Sequence, residues 1–347
     1  MAHIAFMFAT ENIKIEKMEP LKEQSKSPIA AFDLGNSNLV VVSGGTVIVD
    51  VPSILAISYE EGNFRVVEKW EDTKKVIGQS QILCIHLHEN VYHYNSVEYL
   101  VSELVPEAKK QCPISVETKI GVGIPIDFTY GDRLCLRETF EKLGCNNVFL
   151  MESPFATAIS QGLDVSDVRG KMIIDIGGAK TQIAVICMSG KIEKKCISIG
   201  GDSFSRVIQN GLQREYNIKI SEQIAEKIKK NFGTAIPNME NAPSEYVVRG
   251  PHIITAEPIE IKLSSTEIAE WLNEPTISIE NAVSDVLERT PPELFNDIVD
   301  GCIWLTGGGS LLHNLPELLE KKTKIKVKLV DDPFHSVARG VEIAMND

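Results

Sequence analysis

The sequence has no run of about 18 apolar residues, so no stretch of it reads as a membrane span. It has no C-x-x-C pair either. Its seven cysteines, Cys84, Cys112, Cys135, Cys145, Cys187, Cys196 and Cys302, are scattered and odd in number, which fits reduced thiols in a cytoplasmic protein better than a disulfide framework. Positive charge is also short. Thirty-five Lys and Arg against 48 Asp and Glu leave a net charge of −13, which disfavours binding nucleic acid by phosphate neutralisation. Any anionic ligand must therefore be held locally. The N-terminus lacks the basic start and small-residue cleavage site of a signal peptide.

What is present begins with "MAHIAFMFA", an apolar nonapeptide followed by about 18 polar residues. Residues 1–27 read either as a disordered tail or as a peripheral membrane foot. In the second case Ile4, Phe6, Met7 and Phe8 would each contribute roughly 1.5 to 3 kcal/mol if fully buried. The remaining chain, out of 347 residues, is long enough for two domains or one bilobed unit.

From residue 28 the pattern is strand, turn, strand: "PIAAFDLG", "NLVVVSGG", then "TVIVDVPSILAIS" as a further run, with a hairpin turn at Ser43, Gly44 and Gly45. The polar stretch from about 59 to 95 reads as a small inserted subdomain of a first lobe covering 28–165. A helix near Ser96 to Lys110, the strand "KIGVGIPI", a helix at "GDRLCLRETFEKLG", the strand "NVFLME" and a helix from Pro154 to Gln161 imply partly parallel strands with covering helices. At Lys171 the meander restarts as "KMIIDIGGAKTQIAVICMSGKIEKKCISIGG". Both meanders open with an apolar strand ending in D-[LI]-G, at Asp33 and Asp175, so an internal duplication with a ligand crevice between two similar lobes is expected. The second lobe is expected over 166–326, with a helical small subdomain at about 203–262. A capped helix at "IAEWLN" and another at "ISIENAVSDVLERT" follow, and the C-terminal strand and helix, 327–347, are expected to return to the first lobe.

Three glycine-containing turns follow buried strands, Gly35 to Asn38, Gly177 to Lys180 and Gly307 to Ser310. Each alone is commonly just a turn. Three together, two of them duplicated around an Asp, point to nucleotide binding, because such turns let backbone N–H groups approach phosphate oxygens. Carboxylates beside a polyphosphate repel it, so Asp33 and Asp175 make sense as partners of a Mg²⁺ held through water.

In order along the chain, "FDLGNSNLVV", "VPSILAI", "MESPFATAISQGL", "MIIDIGGAKTQIAVI", "IGGDSF", "AEKIKKNFGTAIP", "LTGGGSLLHNLPELLEKKT" and "DDPFHSVARGVEIA" resemble the blocks of the MreB family, the bacterial relatives of actin. The resemblance runs from about residue 30 to the C-terminus and is weakest between 60 and 115. It implies an α/β, actin-like two-lobed ATPase fold with duplicated ribonuclease-H-like lobes, each carrying a small subdomain. It also implies ATP or GTP with Mg²⁺ in the cleft, and self-assembly into cell-shape filaments, typically paired protofilaments at the inner membrane and open to other subunits of the same kind. By position, Gly35, Asn36, Ser37 and Asn38 resemble the first phosphate loop and Gly177, Gly178, Ala179 and Lys180 the second. Gly307, Gly308 and Gly309 resemble the adenosine-side turn, Glu226 and Lys229 fall where the family contacts ribose and base, and Gly200, Gly201 and Asp202 would begin the helix lining the other side.

Two departures concern the attacking water. The family places Glu immediately before the Pro of its "EPFA"-type block, whereas Ser153 precedes Pro154 here and Glu152 stands one residue early. The second loop usually reads D-I-G-G-G-T-T, and Lys180 stands where its first Thr belongs. An ammonium only donates hydrogen bonds, so Lys180 cannot orient a water through an acceptor lone pair. It can pair with the γ-phosphate or project into solvent. Ala179 for Gly is tolerable at negative φ, and Asn36 and Ser37 for Thr-Ala keep small polar groups. Impaired hydrolysis in a nucleotide-gated filament subunit is the resulting expectation. A small-molecule kinase or a chaperone-type ATPase of the same superfamily is the alternative, although no acceptor-activating carboxylate, substrate insertion or C-terminal peptide-binding domain is apparent.

Overall fold

The computed structural model describes residues 28–60, 63–76, 82–86, 94–237 and 246–346. The candidate membrane foot, Met1 to Ala9, lies outside the described residues, among which no helix is long and apolar enough to cross a membrane.

In the first half, β1 (Ile29–Leu34), β2 (Asn38–Ser43) and β3 (Thr46–Pro52) form an antiparallel meander. Gly44 and Gly45, at φ +61° and +74°, make the tight hairpin expected after Ser43. β4 (Ile54–Glu60), β5 (Asn63–Lys69) and β6 (Ile82–His86) make a separate three-stranded sheet. The run "TVIVDVPSILAIS" is thus two strands, not one. The chain changes sheets at buried Ser53, whose N–H is taken by the Ser37 carbonyl at 2.9 Å. Helix α1 (Tyr94–Lys109) leads to β7 (Lys119–Ile124), α2 (Tyr130–Lys142), β8 (Asn147–Glu152) and α3 (Ser153–Ser160). Thr129 and Asp132 cap α2 reciprocally. β7 and β8 add in parallel, giving the order β3-β2-β1-β7-β8.

The second half repeats this plan. β9 (Lys171–Ile176), β10 (Thr181–Cys187) and β11 (Gly190–Ile197) are antiparallel, and β14 (Ile303–Thr306) and β15 (Val327–Leu329) add in parallel, giving β11-β10-β9-β14-β15. The two sheets therefore share one strand order around β1 and β9, as the repeated D-[LI]-G motif implied. Between them in sequence lie α4 (Gly201–Tyr216), α5 (Glu222–Phe232), the hairpin β12 (Tyr246–Pro251) and β13 (Pro258–Leu263), α6 (Ser265–Arg289) and α7 (Pro292–Asp300). α8 (Leu315–Thr323) and α9 (Ser336–Asn346) complete the order.

Three expectations change here. The region 203–262 is not purely helical: Val248 and Leu263 of the hairpin enter the core, and the Tyr246 ring packs 4.2 Å from that of Phe232. Residues 265–289 form a single helix through Pro275. Ile268, Leu272, Ile279, Val283 and Val286 make an unbroken buried stripe across it, and the Thr276 hydroxyl donates to the carbonyls of Leu272 and Asn273 beside the bond that proline removes. The C-terminal strand also stays in the second sheet, where Val327 joins that core. Only α9 crosses back.

That crossing ties the halves together. Val337, Ala338 and Val341 of α9 pack with Ala31, Val40 and Val42 of the first sheet and Ala156 of α3. Ala158 of α3 packs instead with Ile173, Ala184 and Ile186 of the second sheet. At the contact a Cβ on Gly340 would lie 1.7 Å from the Ala156 carbonyl oxygen. The two helices approach closely because that position has no side chain.

Candidate functional site

Asp33 and Asp175 sit at corresponding C-terminal positions of β1 and β9, and each is followed by its glycine turn. The turns meet. A Cβ on Gly178 would fall 2.0 Å from Ser37 Oγ, so the second turn fits against the first because it carries hydrogen there. Gly307, at φ +83°, brings the third turn over the end of β9, where its Cβ would be 2.5 Å from Asp175 Oδ1. Gly309 lies against Ile176 and the Gly177 carbonyl, and Gly308 against the ring of Phe334. Ala179 is buried and is not among the residues with positive φ, so its methyl group is accommodated.

The start of α4 fastens the second turn. The N–H groups of Gly201 and Asp202 donate to the Gly177 and Gly178 carbonyls at 2.9 and 2.8 Å, and Gly200 leaves room for this approach. Those two donors orient the loop from behind. Lys229 Nζ reaches the Gly201 carbonyl at 3.0 Å and Glu226 at 2.5 Å, while Glu226 also accepts from Ser205 at 2.8 Å. Asn36 lies in the first turn, whereas the side chain of Asn38 turns aside to donate to Asp50 Oδ1 at 2.7 Å. All the residues singled out around the three turns, α4 and α5 thus gather in one region.

The electrostatics concentrate on the two carboxylates. Burial, the charge of Asp175 and, in opposition, His335 set the Asp33 carboxyl at about 7; burial pushes that of Asp175 up to about 6. Gln182 Nε2 donates to Asp175 Oδ2 at 3.3 Å. Among the described residues no group of three or more His, Cys, Asp or Glu side chains could hold a metal. Two carboxylates whose charges interact, that of Asp175 buried and that of Asp33 half-buried, do fit a hard divalent cation that keeps water in the rest of its shell.

The two positions expected from the resemblance to handle the attacking water have other partners in the fold. Ser153 is buried, and its Oγ donates to the Ile124 carbonyl at 3.1 Å. Glu152 is held by Arg133 at 2.6 Å and Lys191 at 2.5 Å, so its displacement by one residue does direct it elsewhere. Lys180 does not project into solvent: its Nζ donates to Asp127 Oδ2 at 2.8 Å.

Asp127, Gln182 and His335 escaped the sequence reading. Gln182 carried a usable signal, a long amide inside the otherwise mostly apolar strand "TQIAVIC", whose seven residues are all buried. His335, between Asp332 at 2.9 Å and Asp50 at 3.3 Å, and Asp127 carried no such signal, because Asp50 and Lys180, which they meet, come from distant segments.

A profile of the MreB/Mbl protein family matches residues 27–347. The cell shape-determining protein MreB of Escherichia coli (strain K12) is 35% identical over 317 residues, covering 89% of this chain and 91% of that protein. The cell shape-determining protein Mbl of Bacillus subtilis (strain 168) is 31% identical over 321 residues, covering 91% and 95%. Among solved structures, MreB5 of Spiroplasma citri bound to ADP superposes with a TM-score of 0.85 at 24% identity, covering 92% of this chain and 97% of that one. The MamK double helical filament superposes at 0.75 with 14% identity, covering 93% and 99%. These two likenesses bear on the fold, which is the actin-like, two-lobed one. By the extent of the family match and the identity to its curated relatives, the chain belongs to the MreB/Mbl family.

Proposed function

We propose that the protein is a cytoskeletal subunit that binds ATP or GTP with Mg²⁺ between its lobes, assembles into filaments supporting bacterial cell shape, and hydrolyses its nucleotide slowly. The lobes are taken as 28–165 and 166–326, with α9 returning to the first, and residues 1–9 are the candidate contact with the inner face of the cell membrane. The observation that carries the reading is the meeting of three glycine turns around Asp33 and Asp175 in a member of this family. Relatives support its parts: MreB and Mbl are named for determining cell shape, the MreB5 structures hold ADP and AMPPNP, and MamK forms a double helical filament.

The turns at Gly35 to Ser37 and Gly177 to Lys180 would cradle phosphates, and Glu226 and Lys229 the nucleoside. Asp33 and Asp175 would hold Mg²⁺ through water, and the ion would neutralise phosphate charge. Slow hydrolysis follows from the engagements of Ser153 and Glu152 and from a cation, Lys180, at the place of a hydroxyl.

Nucleotide binding, pelleting and phosphate release measured on one sample test this. The protein is expected to bind ATP and assemble while releasing phosphate far more slowly than a typical family member. Ser153→Glu combined with Lys180→Thr should raise release by roughly a hundredfold. Wild-type release at the typical family rate would overturn the hydrolysis reading. So would a double variant that binds and assembles yet stays inactive.

A further inference from the structure

Asp127 follows β7 by three residues, beyond the end of a strand that pairs directly with β1. Three side chains from the second half, one from the turn before β10 and two from β10 and β11, converge on it and its neighbour. Lys180 Nζ donates to Asp127 Oδ2 at 2.8 Å, Gln182 Oε1 accepts the Ile126 N–H at 2.8 Å, and Lys194 Nζ donates to the Ile126 carbonyl at 3.2 Å. The Lys180 side chain is 18% exposed and that of Asp127 39%, so the ion pair lies at a partly open edge of the site. Asp127 also faces Cys196. Burial first, and the Asp127 charge second, push that thiol up to about 12, so it remains protonated and adds no competing charge.

We propose that Asp127 is a specificity-determining residue of the nucleotide site, a built-in competitor with the terminal phosphate for Lys180. This rests on the nucleotide-binding reading given above. Without a γ-phosphate, the Asp127 carboxylate neutralises the ammonium and clasps the two lobes. A nucleoside triphosphate brings a second anion to the same cation. Lys180 can donate to both, but the carboxylate then faces the phosphate as a like charge, so the triphosphate binds against a penalty that a diphosphate escapes. When the γ-phosphate takes Lys180, the clasp opens at this point alone, because Gln182 and Lys194 still hold the backbone of Ile126.

Calorimetric titration of the full chain with AMPPNP and with ADP, each with Mg²⁺, tests the competition on wild type, Asp127→Asn and Asp127→Glu. Asp127→Asn should tighten AMPPNP by about tenfold and ADP by less than about twofold, and Asp127→Glu should stay near wild type. Adding Lys180→Thr to Asp127→Asn should abolish the gain. Equal changes for both nucleotides, no change, or weaker AMPPNP binding in Asp127→Asn would overturn the competition. Failure of the wild type to bind either nucleotide would instead overturn the reading beneath it. Thermal unfolding of each variant verifies that the fold is retained.

Discussion

The Asp33 and Asp175 turns follow strands with the same pairing, antiparallel to the next strand and parallel to a later one. Their surroundings differ. The second turn is fixed by the N–H groups of Gly201 and Asp202, covered by Gly307 to Gly309, and fastened across the cleft through Lys180. Ser37 and Asn38 of the first turn are exposed, and its backbone tie runs to Ser53, inside its own half. A duplicated strand plan thus carries one anchored turn and one freer turn, and the anchored one carries Lys180. Lys180, in the anchored turn, is partnered by Asp127, and Ser153, at the start of α3 in the other half, by the carbonyl of Ile124.

The largest effect on this pairing of halves is expected from Gly340→Ala. Its Cβ would meet a backbone carbonyl at 1.7 Å, which no rotamer change relieves, so α3 and α9 must separate. Denaturant melts should show a loss of roughly 3 kcal/mol or more, or no soluble protein. Retention of wild-type stability would mean that the helices are not what joins the sheets.

The two carboxylates come next. An unfolded aspartate titrates near 4, whereas Asp33 titrates at about 7 in the folded chain. Because the folded state holds the proton more tightly, stability from this group is complete below pH 4 and declines as pH rises toward 7. In the nucleotide-free protein, Asp33→Asn should therefore stabilise by about 1 to 3 kcal/mol at pH 7.5 and by almost nothing at pH 4. Asp175→Asn should behave alike over a narrower window ending near pH 6. Urea midpoints at the two pH values measure both. A gain that does not depend on pH would show that carboxylate charge is not the cause.

A smaller effect separates the turns themselves. Gly178→Ala pushes mainly on the Ser37 side chain, at 2.0 Å from its Oγ and 3.2 Å from its Cβ, so it should cost about 1 kcal/mol, and Ser37→Gly should relieve much of that. Strictly additive losses in the double variant would indicate that the two turns do not press on each other.

Much of this architecture was legible in the chain. Strand runs, the repeated Asp-x-Gly turns and the cap at Ser264 are local signals, written in neighbouring residues. The continuity of the helix across Pro275 was not legible, because a helix-breaking residue interrupts a stripe whose burial only the packed structure shows. The switch at Ser53 was hidden in a continuous apolar run, since apolar alternation does not say which sheet a strand joins.

By itself the sequence determined the family, the duplicated antiparallel meanders and the glycine turns that follow their first strands, because periodicity and glycine placement act over a few residues. Tertiary structure decided what those residues touch. Lys180 meets Asp127 across 53 positions, Glu152 meets Lys191 across 39, and Gly340 meets Ala156 across the molecule. Such partners depend on how two sheets and two crossing helices pack, and no local pattern encodes that distance.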